Sequence, residues 1–510
     1  MLASHFHTHM HNGTRLAAVD LGSNSFRLEI GQLDHGQIHR TEYLKETVRQ
    51  GNGLDAARNL TPEAMQRGWD CLARFGERLA GFEPTQVRAV ATQTLREARN
   101  RDAFLSRAKE VLGFPIDVIS GHEEARLIYQ GVAHLLPQSD ERRLVIDIGG
   151  RSTEMILGQA HEARVMASYR VGSVAWSMKY FPEGQWTTAA FETAEIAAKA
   201  VLDEALNAYQ RDTWDVAYGA SGTVGAVGEV LAAAGWPPGR IDRAGLDWLL
   251  ECLLKAQSAD RLRLDGMRDD RKAVIGGGIS VLLAVFDLLE IDQLQVADGA
   301  LRHGVLYDLL DRDAPQTDVR SASVQALASK FRVDEAQAGR VASVARHFLH
   351  PLLEGAAASP VDVQRTARKL CWAAQLHEIG MQISHSDYHK HGTYILDHAD
   401  VGGFAVSELH RLALLVLGHR GKLRKLEADF TDPLFVLQLL ALRLAVILCH
   451  ARRNPALDSL AVECHPGQQL VRLTCDRTWA LAYPQSSHLL REEVVAWQKT
   501  PWQFAFCQRD

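Results

Sequence analysis

At 510 residues, with 46% apolar and 23% charged side chains, the chain has material for three or four domains of roughly 150 residues, and its composition argues against disorder, collagen and coiled coil. Its seven scattered cysteines contain no CxxC pair, which disfavours a disulfide framework or a cysteine zinc site. The net charge of −6 hides an asymmetry: residues 317–510 hold 22 Lys+Arg against 19 Asp+Glu, leaving 34 against 43 for the first 316, and 12 of the 22 histidines fall in the later part. That split fits metal chemistry in front and anion binding behind, and equally a solvated surface.

The N-terminal stretch MLASHFHTHMHNGTR lacks the basic and apolar regions of a secretory leader, which predicts a cytoplasmic chain. Its histidines at 5, 7, 9 and 11 read as a disordered tail rather than a metal site. An apolar strand, Leu16 to Val19, then runs into Asp20, a small-residue turn and a second strand. The same pattern returns at residues 144–158. VDLGSNSFRLEIG (19–31) and IDIGGRSTEMILG (146–158) align without a gap, setting Asp20 on Asp147, Gly22 on Gly149, Ser25 on Ser152 and Gly31 on Gly158. Each copy predicts a β-hairpin whose Gly/Ser/Asn turn lets backbone N–H groups approach a phosphate. The Asp closing each first strand offers a hard oxygen to Mg²⁺ or its waters. One such hairpin is commonplace, whereas two at matched spacing form an internal repeat.

Between the copies, Leu127, Ile128, Val132, Leu135 and Leu136 recur at helical spacing, so a helix starts near Ser120. Ser120 and Glu123 then form a capping box, while Glu124 sits free in the first turn, where the macrodipole favours its ionised form. By themselves the two glutamates read first as decoration of a helix start. Glycine-rich turns at 216–227 and 274–289 follow apolar strands and precede apolar helices, a backbone cradle for an anion. From about Ser321 the pattern becomes helical, including the apolar run PLFVLQLLALRLAVILCH, which Gln438 and Arg443 interrupt and which is too short to span a bilayer. After about Leu457 the pattern alternates and turns at Pro466 and Gly467, predicting a small β-containing tail.

The paired turns resemble the actin, sugar kinase and heat-shock ATPase superfamily. ATQTLREARN (91–100), ISGHEEARLIYQGV (119–132), LVIDIGGRSTE (144–154), GASGT (219–223) and VADGALRHGVLYDLL (296–310) together resemble the exopolyphosphatase/guanosine pentaphosphate phosphatase family, and LHEIGMQISHSDYHKHGTYIL (376–396) resembles the helical domain of its long exopolyphosphatases. The resemblance implies an α/β fold of two duplicated actin-like (ribonuclease H-like) lobes at 15–136 and 137–315, a mainly helical HD-like domain at 316–456 and a small C-terminal module at 457–510. It also implies a homodimer and places the catalytic base at Glu124, where a carboxylate orienting water is worth roughly 10²–10⁴ in rate.

Phosphoanhydride cleavage needs cations and donors around the transferred oxygens. Asp147 and Glu154, seven residues apart on the two arms of the second hairpin, are the expected metal pair, with Asp20 facing them. The cofactor expected is Mg²⁺, with a monovalent cation as a further candidate. Asn24, Ser25, Gly149, Gly150, Ser152, Gly222 and Thr223 are expected to hold phosphate oxygens. The resemblance adds Arg96 as a bidentate phosphate contact. The family usually has a third glycine where this chain has Arg151; a positive φ there would store strain of roughly 1–3 kcal/mol. In the back half, Glu378 stands where an HD-type hydrolase requires Asp, so His377, His385, His389 and His391 with Lys390 read as an anion-binding face or as packed histidines. Arg420, Lys422, Arg424 and Lys425 could hold the distal part of a polyanion.

The favoured expectation is an exopolyphosphatase that processively releases orthophosphate from inorganic polyphosphate. The alternative is a guanosine pentaphosphate phosphohydrolase using the same site. A non-hydrolytic, ATP-binding actin-like regulator is an alternative of another class, and a sugar kinase lacks any sugar-recognising feature. Neither a nucleic-acid partner nor a transmembrane segment is expected.

Overall fold

The computed structural model describes residues 10–313, 317–356 and 360–509. The histidines at 5, 7 and 9 and the domain boundary at 315/316 lie outside the described residues. The chain divides into two units, Met1–Asp318 and Val319–Asp510. Among the described residues no helix is long and apolar enough to cross a membrane.

The first unit contains two sheets of the same plan. In the first, β1 (Arg15–Leu21), β2 (Phe26–Asp34), β3 (Gln37–Glu46), β4 (Val87–Ala91) and β5 (Ile116–Val118) take the order β3-β2-β1-β4-β5. In the second, β6 (Arg142–Ile148), β7 (Thr153–Gln159), β8 (Glu162–Tyr169), β9 (Val216–Ala220), β10 (Arg240–Asp242) and β11 (Gln293–Val296) take the order β10-β11-β9-β6-β7-β8. Three antiparallel strands lead each sheet, parallel strands follow on the other side of β1 or β6, and the second sheet ends in β10, antiparallel to β11. Leu16–Leu21 and Arg143–Ile148 are buried throughout, the run expected of a central strand covered on both faces.

The repeat extends to an irregularity that the alignment already contains. Pairing slips between Ile30 and Gly31 in the first hairpin and between Leu157 and Gly158 in the second. A Cβ at Gly31 would lie 2.3 Å from Ile38, and one at Gly158 would lie 2.2 Å from the Tyr129 ring. The aligned glycines therefore mark matched bulges where another chain segment comes too close for a side chain.

Two helices pack in a core shared by both sheets. The Gly121–Leu135 helix contributes Leu127, Ile128, Tyr129 and Val132, and the Leu301–Asp313 helix contributes Leu301, Val305, Leu306 and Leu309, beside Leu16 and Ala18 of one sheet and Val145 and Ile156 of the other. The helices approach through glycine: a Cβ at Gly304 would overlap the Leu127 carbonyl, and one at Gly131 would sit 2.3 Å from the Ala300 carbonyl oxygen. A buried ionic network fixes this crossing. Asp308 accepts from Arg88 of β4, from Arg126 at 2.5 Å and from Arg312 at 2.6 Å. Glu123 accepts from Arg126 at 2.7 and 2.9 Å and from Arg88 at 3.4 Å. Ser120 caps the helix by accepting the Glu123 N–H at 3.1 Å. The arginines hold both carboxyls below the ordinary carboxylate range against the opposing effect of burial.

Among the described residues the second unit is mainly helical between Val319 and Leu448 and carries a three-stranded sheet of β12 (Leu460–His465), β13 (Leu470–Asp476) and β14 (Gln503–Arg509). The tail is not packed as a separate module: Leu460, Val471, Leu473 and Trp497 share one core with Phe348, Leu412 and Leu439 of the helices. The polar residues inside the apolar run each have a partner. Gln438 donates to the Thr366 carbonyl at 2.8 Å, and Arg443 pairs with Glu493, Nη2 lying 2.6 Å from Oε2. His377 and His419 are buried with perpendicular rings 5.4 Å apart, and burial pushes both pKa values down. Glu378 pairs with Arg452 at 2.9 Å. These groups stand as packed histidines and an ion-paired carboxylate.

Candidate active site

The two hairpin turns face one cleft of about 570 Å³ in the first unit. Asp20, Asn24, Ser25, Glu124, Asp147, Gly149, Gly150, Ser152, Gly222 and Thr223 all line it. The turns touch each other, since a Cβ at Gly150 would lie 3.0 Å from the Ser23 Cβ. Asn24 Nδ2 and Ser25 Oγ are buried without a hydrogen-bond partner. Orphaned donors of this kind cost roughly 1–3 kcal/mol each unless a ligand satisfies them. The third cradle carries backbone strain: Ser221 takes φ +102° at the start of the Ser221–Ala233 helix, and its Oγ accepts from the N–H groups of Thr223 and Val224 at 3.2 and 3.3 Å.

Strand register explains why the two copies differ chemically. Asp20 lies opposite Arg27, while Asp147 lies opposite Glu154. One copy is therefore neutralised and the other doubly acidic. Arg27 pairs with Asp20 at 3.1 Å. Burial raises the Asp20 pKa, with Arg27 and Arg302 opposing. Burial, reinforced by Glu124 and Asp20, raises Asp147 to about 7. Glu154 is buried, accepts from Ser168 Oγ at 2.7 Å and is pushed far up by burial and by the charges of Glu124 and Asp147. It is not among the residues lining the cleft, although it lies directly across the strand pair from Asp147, close enough for the charges of Asp147 and Glu124 to act on it. Among the described residues no three acidic, histidine or cysteine side chains form a ready-made metal cluster. The donor set that faces the cleft, Asp20 and Asp147, nevertheless suits Mg²⁺, which takes one or two carboxylates and completes its shell with water and phosphate oxygens.

Glu124 is 7% exposed and accepts from Arg96 Nη1 at 2.7 Å. Its pKa is raised, because burial, with Asp20 adding to it, outweighs Arg96, whereas the position at the helix start predicts a readily ionised group. A carboxylate displaced toward neutrality suits a general base. Arg96 was expected to hold phosphate. Its guanidinium donates to Glu124, to Gln93 Oε1 at 2.6 and 3.0 Å and to the Ile119 carbonyl at 2.9 Å, and it is not among the residues lining the cleft. Arg151 is not among the positive-φ residues, so the anticipated strain is absent. Its side chain instead pairs with Glu97 at 2.8 Å and donates to the Gly51 carbonyl at 3.2 Å, joining the second turn to the first lobe.

The cations of the cleft are Arg27, Lys45, Arg268, Arg271 and Arg302, none of them assigned from sequence. Arg302 is held by Glu29 at 2.5 Å and lies over the Tyr43 ring, and Lys45 is held by Asp270 at 2.9 Å. Arg271 is 6% exposed, and a Cβ at Gly222 would fall 2.1 Å from its Nη2. The available signal was weak: Arg27 is a charge between apolar strand residues, and Arg302 stands inside a quoted motif without a role.

Asp147 has a pH-dependent consequence. In metal-free protein the folded state keeps a proton on Asp147 up to about pH 7 that the unfolded chain releases near 3.8. Its contribution to stability therefore falls as pH rises through that window. The melting temperature of Asp147→Asn minus that of the wild type is expected to widen from pH 4 to 8 and to shrink when Mg²⁺ is added to the wild type at pH 8. A pH-independent difference in calorimetry would refute the raised pKa.

Comparison with known proteins agrees with this geometry. Residues 30–313 match the Ppx/GppA phosphatase family and residues 319–494 match Ppx/GppA phosphatase domain III. A guanosine-5'-triphosphate,3'-diphosphate pyrophosphatase of Vibrio cholerae is 38% identical over 92% of this chain and 93% of its own, and one of Vibrio atlanticus is 40% identical over 87% and 88%. The crystal structure of an exopolyphosphatase from Cytophaga hutchinsonii is 25% identical, with a TM-score of 0.53, over 58% of this chain and 98% of that one. Sequence, duplicated actin-like lobes and helical second unit thus agree, and the chain belongs to the Ppx/GppA phosphatase family.

Proposed function

We propose that the chain hydrolyses the terminal phosphoanhydride of guanosine-5'-triphosphate,3'-diphosphate, with inorganic polyphosphate as the weaker substrate of the same site. This reverses the order expected from sequence. The relatives that carry the nucleotide name cover 87–95% of the chain at 36–40% identity, whereas the exopolyphosphatase likeness is 25% over 58%. The observation that carries the chemistry is the Glu124 carboxylate lining a cleft shared with orphaned donors and five cations.

Glu124 takes a proton from a water as that water attacks the terminal phosphorus, and the bond from phosphorus to the bridging oxygen breaks. Arg96 keeps the Glu124 carboxylate in one orientation. Asn24, Ser25 and the backbone of Gly149, Gly150, Gly222 and Thr223 hold phosphate oxygens, while Arg27, Lys45, Arg271 and Arg302 offset the charge spreading over them. Mg²⁺ bound through Asp20 and Asp147 would supply further charge neutralisation. With Mg²⁺ and equal substrate concentrations, kcat/KM for guanosine pentaphosphate is expected to exceed that for long-chain polyphosphate by roughly tenfold or more. A preference for polyphosphate would return the chain to the exopolyphosphatase reading.

A further inference from the structure

The phosphate turns occupy one end of the cleft. Beyond them its wall continues along the Ser221–Ala233 helix, where Gly225, Gly228, Glu229 and Ala232 line it at the spacing of a single helical face. Two glycines and an alanine leave a low, flat surface. A Cβ at Gly225 would meet nothing within 4 Å, so the space above is open, whereas Gly228 is backed by Val296. One long polar side chain interrupts the surface. Glu229 lies 3.6 Å from Arg268 Nε, with each side chain about half exposed, and both line the cleft.

At a rise of about 1.5 Å per residue, Glu229 stands about 12 Å along the helix from Ser221, whose end meets the phosphates. That interval leaves room for sugar and polyphosphate between the two ends. Arg271, buried to 6% exposure, lines the same cleft; its Nε lies 3.9 Å from Asp270 Oδ2 but makes no hydrogen bond, which leaves a donor for a ligand running from the turns to the flat surface. A carboxylate only accepts hydrogen bonds, and a guanidinium only donates them. Guanine offers one acceptor, O6, beside two donors, N1–H and N2–H, whereas adenine offers an N6 donor beside an N1 acceptor.

We propose that this end of the cleft is a guanine subsite, in which Glu229 accepts from N1–H and N2–H while Arg268 donates to O6. The inference rests on the nucleotide reading above and extends it to base identity. Adenine placed there would set its N1 lone pair against the Glu229 carboxylate, and a site built around hydrogen bonds rejects the mismatched partner.

The test measures kcat/KM of the full chain with Mg²⁺ on guanosine 5'-triphosphate 3'-diphosphate, its adenosine counterpart and tripolyphosphate. The wild type is expected to favour guanosine over adenosine by roughly 10- to 100-fold. Glu229→Ala should bring that ratio to within a few-fold, chiefly through KM, and should lower the ratio of guanosine nucleotide to tripolyphosphate. Arg268→Ala should act in the same direction. A guanosine preference that survives Glu229→Ala, or no base preference in the wild type, would overturn the subsite and leave the nucleotide reading standing. A wild type that cleaves tripolyphosphate and neither nucleotide would overturn both.

Discussion

Glu124→Gln is expected to lower kcat by roughly 10²–10⁴-fold while substrate still binds. The substitution keeps the shape of the side chain and an oxygen able to accept from Arg96, which lies 2.7 Å from Oε2. It removes only the capacity to take a proton. The cleft cations and the turn donors are unchanged, so KM should move little. Steady-state kinetics together with titration of the substrate on the variant separate the two quantities. Turnover near that of the wild type would remove Glu124 from its role, and lost binding with unchanged kcat would make it a substrate contact. Because burial raises the Glu124 pKa, the acidic limb of the wild-type kcat/KM profile should lie above the ordinary carboxylate range, and the variant should lack that limb.

Asp308→Ala is expected to destabilise the first unit by about 3–5 kcal/mol, the typical cost of removing one partner from a buried ion pair. Asp308 is 1% exposed and is the common acceptor for Arg88, Arg126 and Arg312. Its loss leaves three guanidinium groups with one buried carboxylate, Glu123, between Arg88 and Arg126. Urea denaturation followed by the fluorescence of the first unit's buried Trp176 and Trp186 reads the change. A loss below about 1 kcal/mol, the level of an exposed pair, would show that the network contributes little. Since Glu123 adjoins Glu124, folded variant protein should also lose turnover through a looser base.

Much of this was legible in the order of residues. The repeat pairing Asp20 with Asp147 anticipates two sheets of one topology, and its aligned Gly31 and Gly158 fall on matched bulges. Helical spacing after Ser120 located the helix that carries Glu124. These features depend on residues within a few positions of one another, where periodicity and turn chemistry act. The two family members named by resemblance share that chemistry, so base and turn motifs did not choose between their substrates.

The chain by itself determined the duplicated hairpins, their small-residue turns and the carboxylate at the helix start. Only the tertiary structure decided how charges are distributed among them. Residue type does not reveal that Arg96 serves Glu124, that Glu154 accepts from Ser168, or that Arg151 reaches Glu97. Nor does it reveal that Arg27, Lys45, Arg271 and Arg302, drawn from distant parts of the first unit, converge on one cleft. The physical reason is range. Turns and helices are set by neighbours in sequence, whereas the protonation and pairing of an ionisable group are set by burial and by charges that folding brings alongside it.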